Sequence, residues 1–175
     1  MTFEPTLIPG AFVIHLTLIQ DQRGFFATPF TADGFRARGL NPVVAQSSLS
    51  QTARRGSVRG MHYQRPPAEE AKLVRCFRGA IFDVIVDLRP DSPSYRRWTS
   101  CELSAANRLA LYVPEGCAHG FQTLDDDCEV YYQISHGYAP ALAAGIRYDD
   151  PIINISWPLP VTIVSPRDRA WPDLT

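Results

Sequence analysis

The chain has 175 residues, 45% of them hydrophobic, with 17 basic and 18 acidic residues and a net charge of −1. That length suits one domain, residues 1–175, with a sizeable core. The charge balance gives no electrostatic case for nucleic acid or an anionic membrane as partner, and no apolar run approaches the length of a spanning helix.

At the N-terminus, "MTFEPTLIPGAF" has neither a basic leader nor a long apolar run, so no signal peptide is expected and the cytoplasm is the expected compartment. "TADGFRARGL" (31–40) reads as the one helix, with Thr31 or Asp33 as N-cap and Gly39 as its stop. From there, period-2 patterning dominates. "AKLVRCFRGAIFDVIVDLRP" predicts two strands joined by a hairpin turn at "RG" (78–79). "RWTSCELS", "RLALYVPEG", "GFQTLDDDCEVYYQISHGY", "INISWP" and "VTIVSP" continue the series, with turn signals between them. Short strands at this spacing predict an all-β antiparallel sandwich or barrel. The cysteines at 76, 101, 117 and 128 form no CxxC, so buried free thiols are expected rather than disulfides.

Two segments carry candidate chemistry. In "GSVRGMHYQ", Gly56 and His62 keep the first spacing of the metal-binding cupin pattern G-x5-H-x-H, but Gln64 stands at the second histidine. "PEGCAHGFQT" resembles the second cupin motif through Pro114, Gly116 and His119, with Thr123 where asparagine is usual. His62, His119 and Glu70 could supply three donors at most, a thin set for a transition metal. A metal-free site is the alternative. His62 and Lys72 fall on successive strands, Tyr132 falls on another with Tyr131 on its opposite face, and Asp168 follows the last strand. An aspartate fixes and strengthens a histidine base. A lysine neutralises an oxyanion, and a tyrosine delivers a proton. Each residue also has a plain reading: His62 as structural, Lys72 as an exposed strand lysine, Tyr132 as core, Asp168 as a turn or N-cap residue.

Motifs along nearly the whole chain resemble the dTDP-4-dehydrorhamnose 3,5-epimerase family. They are "IPGAFVIHLTLIQDQRGFFATPF", "RGSVRGMHYQ", "AKLVRCFRGAIFDVIVDLRPDSPSYRRW", "ELSAANRLALYVPEGCAHGF", "YYQISHGYAP", "IRYDDPIINISWP" and "SPRD". The resemblance implies a cupin-type antiparallel β-sandwich or jelly-roll barrel with a few short helices. It implies no metal and no cofactor, and a homodimer in which Arg23 serves the neighbour's pocket. The implied substrate is a nucleotide-linked 4-keto-6-deoxyhexose, epimerised at C3, C5 or both. The family's base falls on His62, its paired aspartate on Asp168, its enolate-holding lysine on Lys72 and its acid on Tyr132. Arg23 and Arg59 fall where the diphosphate is held. Phe26, Gln46, His119 and Tyr138 fall on substrate-contacting positions.

Thr28 replaces the glutamate usual in "GFFxE", and Ser48 replaces the asparagine usual in "QxNxS". These shorter side chains fall at substrate-contacting positions, where a changed hydrogen-bonding set changes which analogue is accepted. A CDP- or GDP-linked sugar, epimerisation at C3 or C5 alone, or ketoisomerisation would fit the departures. So would drift compensated by another contact.

Overall fold

The computed structural model describes residues 1–174; Thr175, the last residue of the expected domain, lies outside the described residues. In chain order the strands are β1 (Thr2–Pro5), β2 (Phe12–His15), β3 (Ile19–Asp21), β4 (Gly24–Phe26), β5 (Gln46–Thr52), β6 (Val58–Gln64), β7 (Lys72–Arg78), β8 (Ala80–Asp87), β9 (Trp98–Ser104), β10 (Ala110–Val113), β11 (Cys117–Thr123), β12 (Cys128–Ile134) and β13 (Ala143–Gly145). The short helices are α1 (Ala32–Arg36) and α2 (Pro166–Arg169).

Two antiparallel sheets, ordered β1-β2-β10-β7-β12-β5 and β13-β6-β11-β8-β9, face one another as a cupin-type sandwich, and β3 and β4 form a separate two-stranded arm. Side chains alternate across each strand, so one row from each sheet meets in the middle. There Val74, Cys76, Leu111 and Val130 of the first sheet pack on Ile81, Ile85, Leu103 and Phe121 of the second. Each such large side chain contributes about 1.5–3 kcal/mol on burial. A second cluster lies outside the six-stranded sheet, where Phe35 of α1 covers Ile14, Leu73, Ala110 and Tyr112. A third lies outside the five-stranded sheet, where Ile146, Ile153 and Ile155 cover Met61, Val84, Val86 and Ala118.

Three expectations change in detail. The helix is shorter than its sequence signal. Thr31 is its cap, accepting from Gly34 N at 3.3 Å, while Asp33 sits in its first turn. The turn at Arg78–Gly79 is not a paired hairpin. β7 pairs with β10 and β12, whereas β8 pairs with β9 and β11, so the chain passes there from one sheet to the other. Gly79 is required at that corner: its φ is +72°, and a Cβ would stand 2.7 Å from Cys128 Sγ. The third change concerns "INISWP" and "VTIVSP", which form no strands. Ile153 and Ile155 alternate inward as predicted but cover a sheet face without joining a ladder, and Val164 makes only an isolated bridge to Val58. All four cysteines are free thiols, and burial pushes Cys76 and Cys117 up to about 12.

Candidate active site

At one end of the sandwich the inward rows turn polar, and a cavity of about 750 Å³ opens between the sheets, within the usual size of a small-molecule site. Inward residues of β5, β7 and β12 form one wall; β6, β11 and β13, with the segment before α2, form the other. His62, Lys72, Tyr132 and Asp168, from distant parts of the chain, all line it.

β6 carries His62 to the cavity wall, and α2 delivers Asp168 behind it. Ser165 caps α2, accepting from Asp168 N at 3.1 Å, which sets the carboxylate in place. His62 Nε2 lies 2.7 Å from Asp168 Oδ1, and Gly60 N donates to Asp168 Oδ2 at 3.3 Å. Burial pushes the Asp168 carboxyl up, but the His62 ring and the Gly60 N–H more than offset it and hold it below the usual range. The carboxylate is thus ready to orient an imidazole and stabilise its protonated form, leaving the other ring nitrogen for chemistry. The Trp171 ring stands 6.4 Å from that of His62, tilted edge-on at 68°.

Lys72 is buried, which disposes of the exposed-lysine reading. Its Nζ sits 2.9 Å from Glu70 Oε1 and donates to the His62 carbonyl at 3.2 Å. A cation fixed this way is pre-organised to meet a developing oxyanion. Opposite His62, the Tyr132 phenol lies 3.2 Å from Ser50 Oγ, and burial pushes it well above its ordinary value. It is therefore a neutral proton donor across the whole physiological range.

Beside these, β11 brings His119 edge-on to Tyr132 with ring centroids 6.2 Å apart. His119 Nε2 meets Asp83 Oδ1 at 2.8 Å in a pocket where both side chains are buried. Burial pushes the Asp83 carboxyl up, against the pull of His119 and Lys72, and among the described residues its Oδ2 has no hydrogen-bond partner. Arg59 is fixed at the rim, its Nε donating to Thr52 Oγ1 at 2.8 Å and Nη2 to the Gln51 carbonyl at 3.0 Å. Gln46 donates to Ser48 Oγ at 3.0 Å and accepts from Tyr138 N at 3.1 Å, placing the exposed Tyr138 ring at the mouth.

The candidate metal donors are divided among three pairs: His62 with Asp168, His119 with Asp83, and Glu70 with Lys72. Gln64, at the second histidine position, instead clamps a loop by donating to Ala68 O and accepting from Ala139 N. Among the described residues no group of three His, Cys, Asp or Glu side chains is arranged to hold a metal ion.

The family model for dTDP-4-dehydrorhamnose 3,5-epimerase matches residues 5–175. The chain belongs to the dTDP-4-dehydrorhamnose 3,5-epimerase family. The enzyme of that name from Methanothermobacter thermautotrophicus is 42% identical over 98% of this chain and 94% of its own. The crystal structure of the Bacillus anthracis epimerase, with TDP and PPi bound, superposes with a TM-score of 0.95 at 36% identity, covering 99% of each chain. That of the Legionella pneumophila epimerase, in complex with dTDP-4-keto-L-rhamnose, gives 0.90 at 33% identity over 97% of this chain and 90% of that one.

Of the family positions read from sequence, Gln46, Ser48, Arg59, His119 and Tyr138 line the same cavity as the four central residues. Arg23, Phe26 and Thr28 do not. They lie exposed on or just after the β3–β4 arm, where Arg23 pairs with Asp21 at 2.5 Å. Sequence reasoning missed Ser50, Asp83, Arg167 and Trp171. For Asp83 the signal was an acid inside the apolar run "IFDVIV"; for Ser50 it was the polar alternation of "QSSLSQT". Trp171 and Arg167 gave none.

Proposed function

We infer that this chain epimerises C3, C5 or both of a dTDP-linked 4-keto-6-deoxyhexose. The observation carrying the reading is the pairing of His62 with a buried carboxylate on one wall of the cavity, opposite a neutral phenol on the other. His62, oriented by Asp168, takes the proton next to the C4 ketone. The electron pair moves onto O4, where Lys72 stabilises the enolate. Tyr132 returns a proton from the opposite face, and the ketone re-forms over an inverted carbon. General acid–base catalysis of this kind contributes about 10²–10⁴-fold.

The test is deuterium uptake from heavy water into dTDP-4-keto-6-deoxyglucose. The parent should incorporate label at C3 or C5, and His62→Ala should lose about 10²-fold or more of that rate. Exchange by His62→Ala as fast as the parent removes His62 from its role. Product NMR separates epimerisation from ketoisomerisation, in which the carbonyl itself moves.

The exposed arm supports a homodimer of one-domain subunits in which Arg23 and Phe26 complete the partner's cavity, and the cytoplasm is the proposed compartment. Sedimentation of the purified chain should give a dimer, and Arg23→Ala should raise KM more than it lowers kcat. A changed nucleotide or a single epimerised carbon is the second reading. It is favoured by Thr28 and by Ser48, whose hydroxyl is already engaged by Gln46. A thermal-shift panel of dTDP, CDP, GDP and UDP decides the base, since a ligand at 100 times its Kd stabilises by about 2.7 kcal/mol.

A further inference from the structure

β5 is an edge strand whose inward row, Gln46, Ser48, Ser50 and Thr52, is polar throughout and lines the cavity. Three of the four hold another site residue: Gln46 holds the Tyr138 backbone, Thr52 accepts from Arg59, and Ser50 bonds Tyr132. The row adds little to the apolar core. Its order along the strand places one hydroxyl, Ser50, against the phenol.

That contact bears on the proton balance of the reaction proposed above, on which this inference rests. Each inversion leaves His62 with one proton too many and Tyr132 with one too few. The phenolate is costly where it forms, because burial resists its charge. The ring beside it, His119, is edge-on and already bonded to Asp83. Ser50 is half-buried on the cavity wall, touching the phenol on one side and the cavity on the other.

We propose that Ser50 is the positioning residue and proton relay of Tyr132. Ser50 Oγ–H donates to the phenol oxygen, which turns the phenol's own proton away from Ser50 and toward the sugar. Tyr132 gives that proton to carbon. Ser50 passes its proton to the phenolate, and a cavity water replaces it on Oγ. The hydroxide so formed takes the proton held by His62. Every proton is accounted for, no electron is transferred, and water is the only co-reactant.

The experiment compares the full-length parent with Ser50→Ala, Ser50→Thr, Tyr132→Phe and the Ser50→Ala/Tyr132→Phe double variant, on dTDP-4-keto-6-deoxyglucose in heavy water. Label uptake reads proton abstraction by His62; product NMR reads inversion. Ser50→Ala should lower kcat for inversion about tenfold or more, within the span of acid–base effects, with KM changed less than about twofold and uptake largely kept. Ser50→Thr, which keeps the hydroxyl, should restore inversion. The double variant should be no slower than Tyr132→Phe. An active parent matched by Ser50→Ala within twofold overturns the relay alone. So does equal loss of uptake and inversion, failure of threonine to rescue, or a Ser50→Ala penalty that persists without the phenol. A parent that takes up no label overturns the epimerase reading itself, and the relay with it.

Discussion

His62 and His119 stand opposite one another in the β6–β11 ladder, and each ring is held from behind by an aspartate, Asp168 for one and Asp83 for the other. The two pairs are not equivalent. The Asp168 carboxyl is held below the usual range, whereas burial pushes Asp83 up, and its Oδ2 has no hydrogen-bond partner among the described residues. Asp168 is therefore a settled anion behind a ring half-open to the cavity, and Asp83 is a carboxyl whose charge depends on the buried ring against it.

Asp168→Asn should lower kcat by about 10²–10⁴-fold while leaving KM nearly unchanged. The amide fills the same space but lacks the charge that steadies a protonated His62. Steady-state kinetics with melting as a fold control checks this. A kcat within threefold of the parent means that His62 needs no carboxylate.

His119→Leu should destabilise the fold by about 3–5 kcal/mol at neutral pH, because Asp83 loses its buried partner and must then stay charged without it or take up a proton on folding. The Asp83→Asn/His119→Leu double variant should recover part of that loss. The sign with pH follows from Asp83's raised value. The folded state then holds a proton that the unfolded state releases above about 3.9, so stability linked to Asp83 is present in acid and lost as pH rises through the folded value. Urea melts of His119→Leu from pH 4 to pH 8 should show it weakening steadily toward neutral pH. A flat profile means that Asp83 carries no such charge.

Asp87 predicts the opposite slope. It is buried, yet it accepts from Ser92 Oγ at 2.5 Å, Ser94 Oγ at 2.6 Å, and Arg89 Nε and Nη2 at 2.8 Å each. Burial pushes its carboxyl up, and these donors overcome that and hold it far below the usual range. A depressed folded value contributes stability above the unfolded pKa of about 3.9, and that stability is lost as pH falls through the folded value. Asp87→Asn should cost about 1–3 kcal/mol at pH 7, since the half-buried Arg89 and the hydroxyls of Ser92 and Ser94 lose a charged acceptor, and should flatten the acid limb of the melt. An unchanged acid limb assigns acid unfolding to other carboxylates.

Much of this architecture was legible in the sequence because inward-facing residues announce themselves locally. Period-2 alternation marked β7 to β12, and Thr31, one of two candidate caps, marked the start of α1. Sheet membership was not legible. "RG" at 78–79 joins two apolar runs whether they pair or part, and only the burial of both strands against opposite sheets decides it. "INISWP" failed for a related reason: Ile153 and Ile155 alternate because they cover a sheet, and alternation does not distinguish covering a sheet from joining one. The four central residues were found through chemistry and resemblance. Ser50 and Asp83 were missed because their meaning lies in what stands across from them, on strands 82 and 36 residues away. Arg23 and Phe26 were placed by resemblance, and nothing in this chain's own cavity would have called for them.

Gly145 ties the tail of the chain to His62. It pairs with His62 in the β13–β6 ladder, and a Cβ there would lie 2.5 Å from Cε2 and Nε1 of Trp171. Trp171 in turn stands edge-on to His62, with the Arg167 guanidinium 5.3 Å from the centre of its ring. A methyl group at Gly145 must therefore move the indole. Gly145→Ala should cost about 1–3 kcal/mol, the usual penalty of overpacking, and should lower kcat more than it changes KM, because the displaced ring no longer stands edge-on to His62. Adding Trp171→Leu should relieve the clash and return the stability, but not the full kcat, since leucine offers no ring edge-on to His62. Denaturant melts and steady-state kinetics on the two variants separate these effects. If Gly145→Ala is as stable and as fast as the parent, the indole is free to move and plays no part in holding His62.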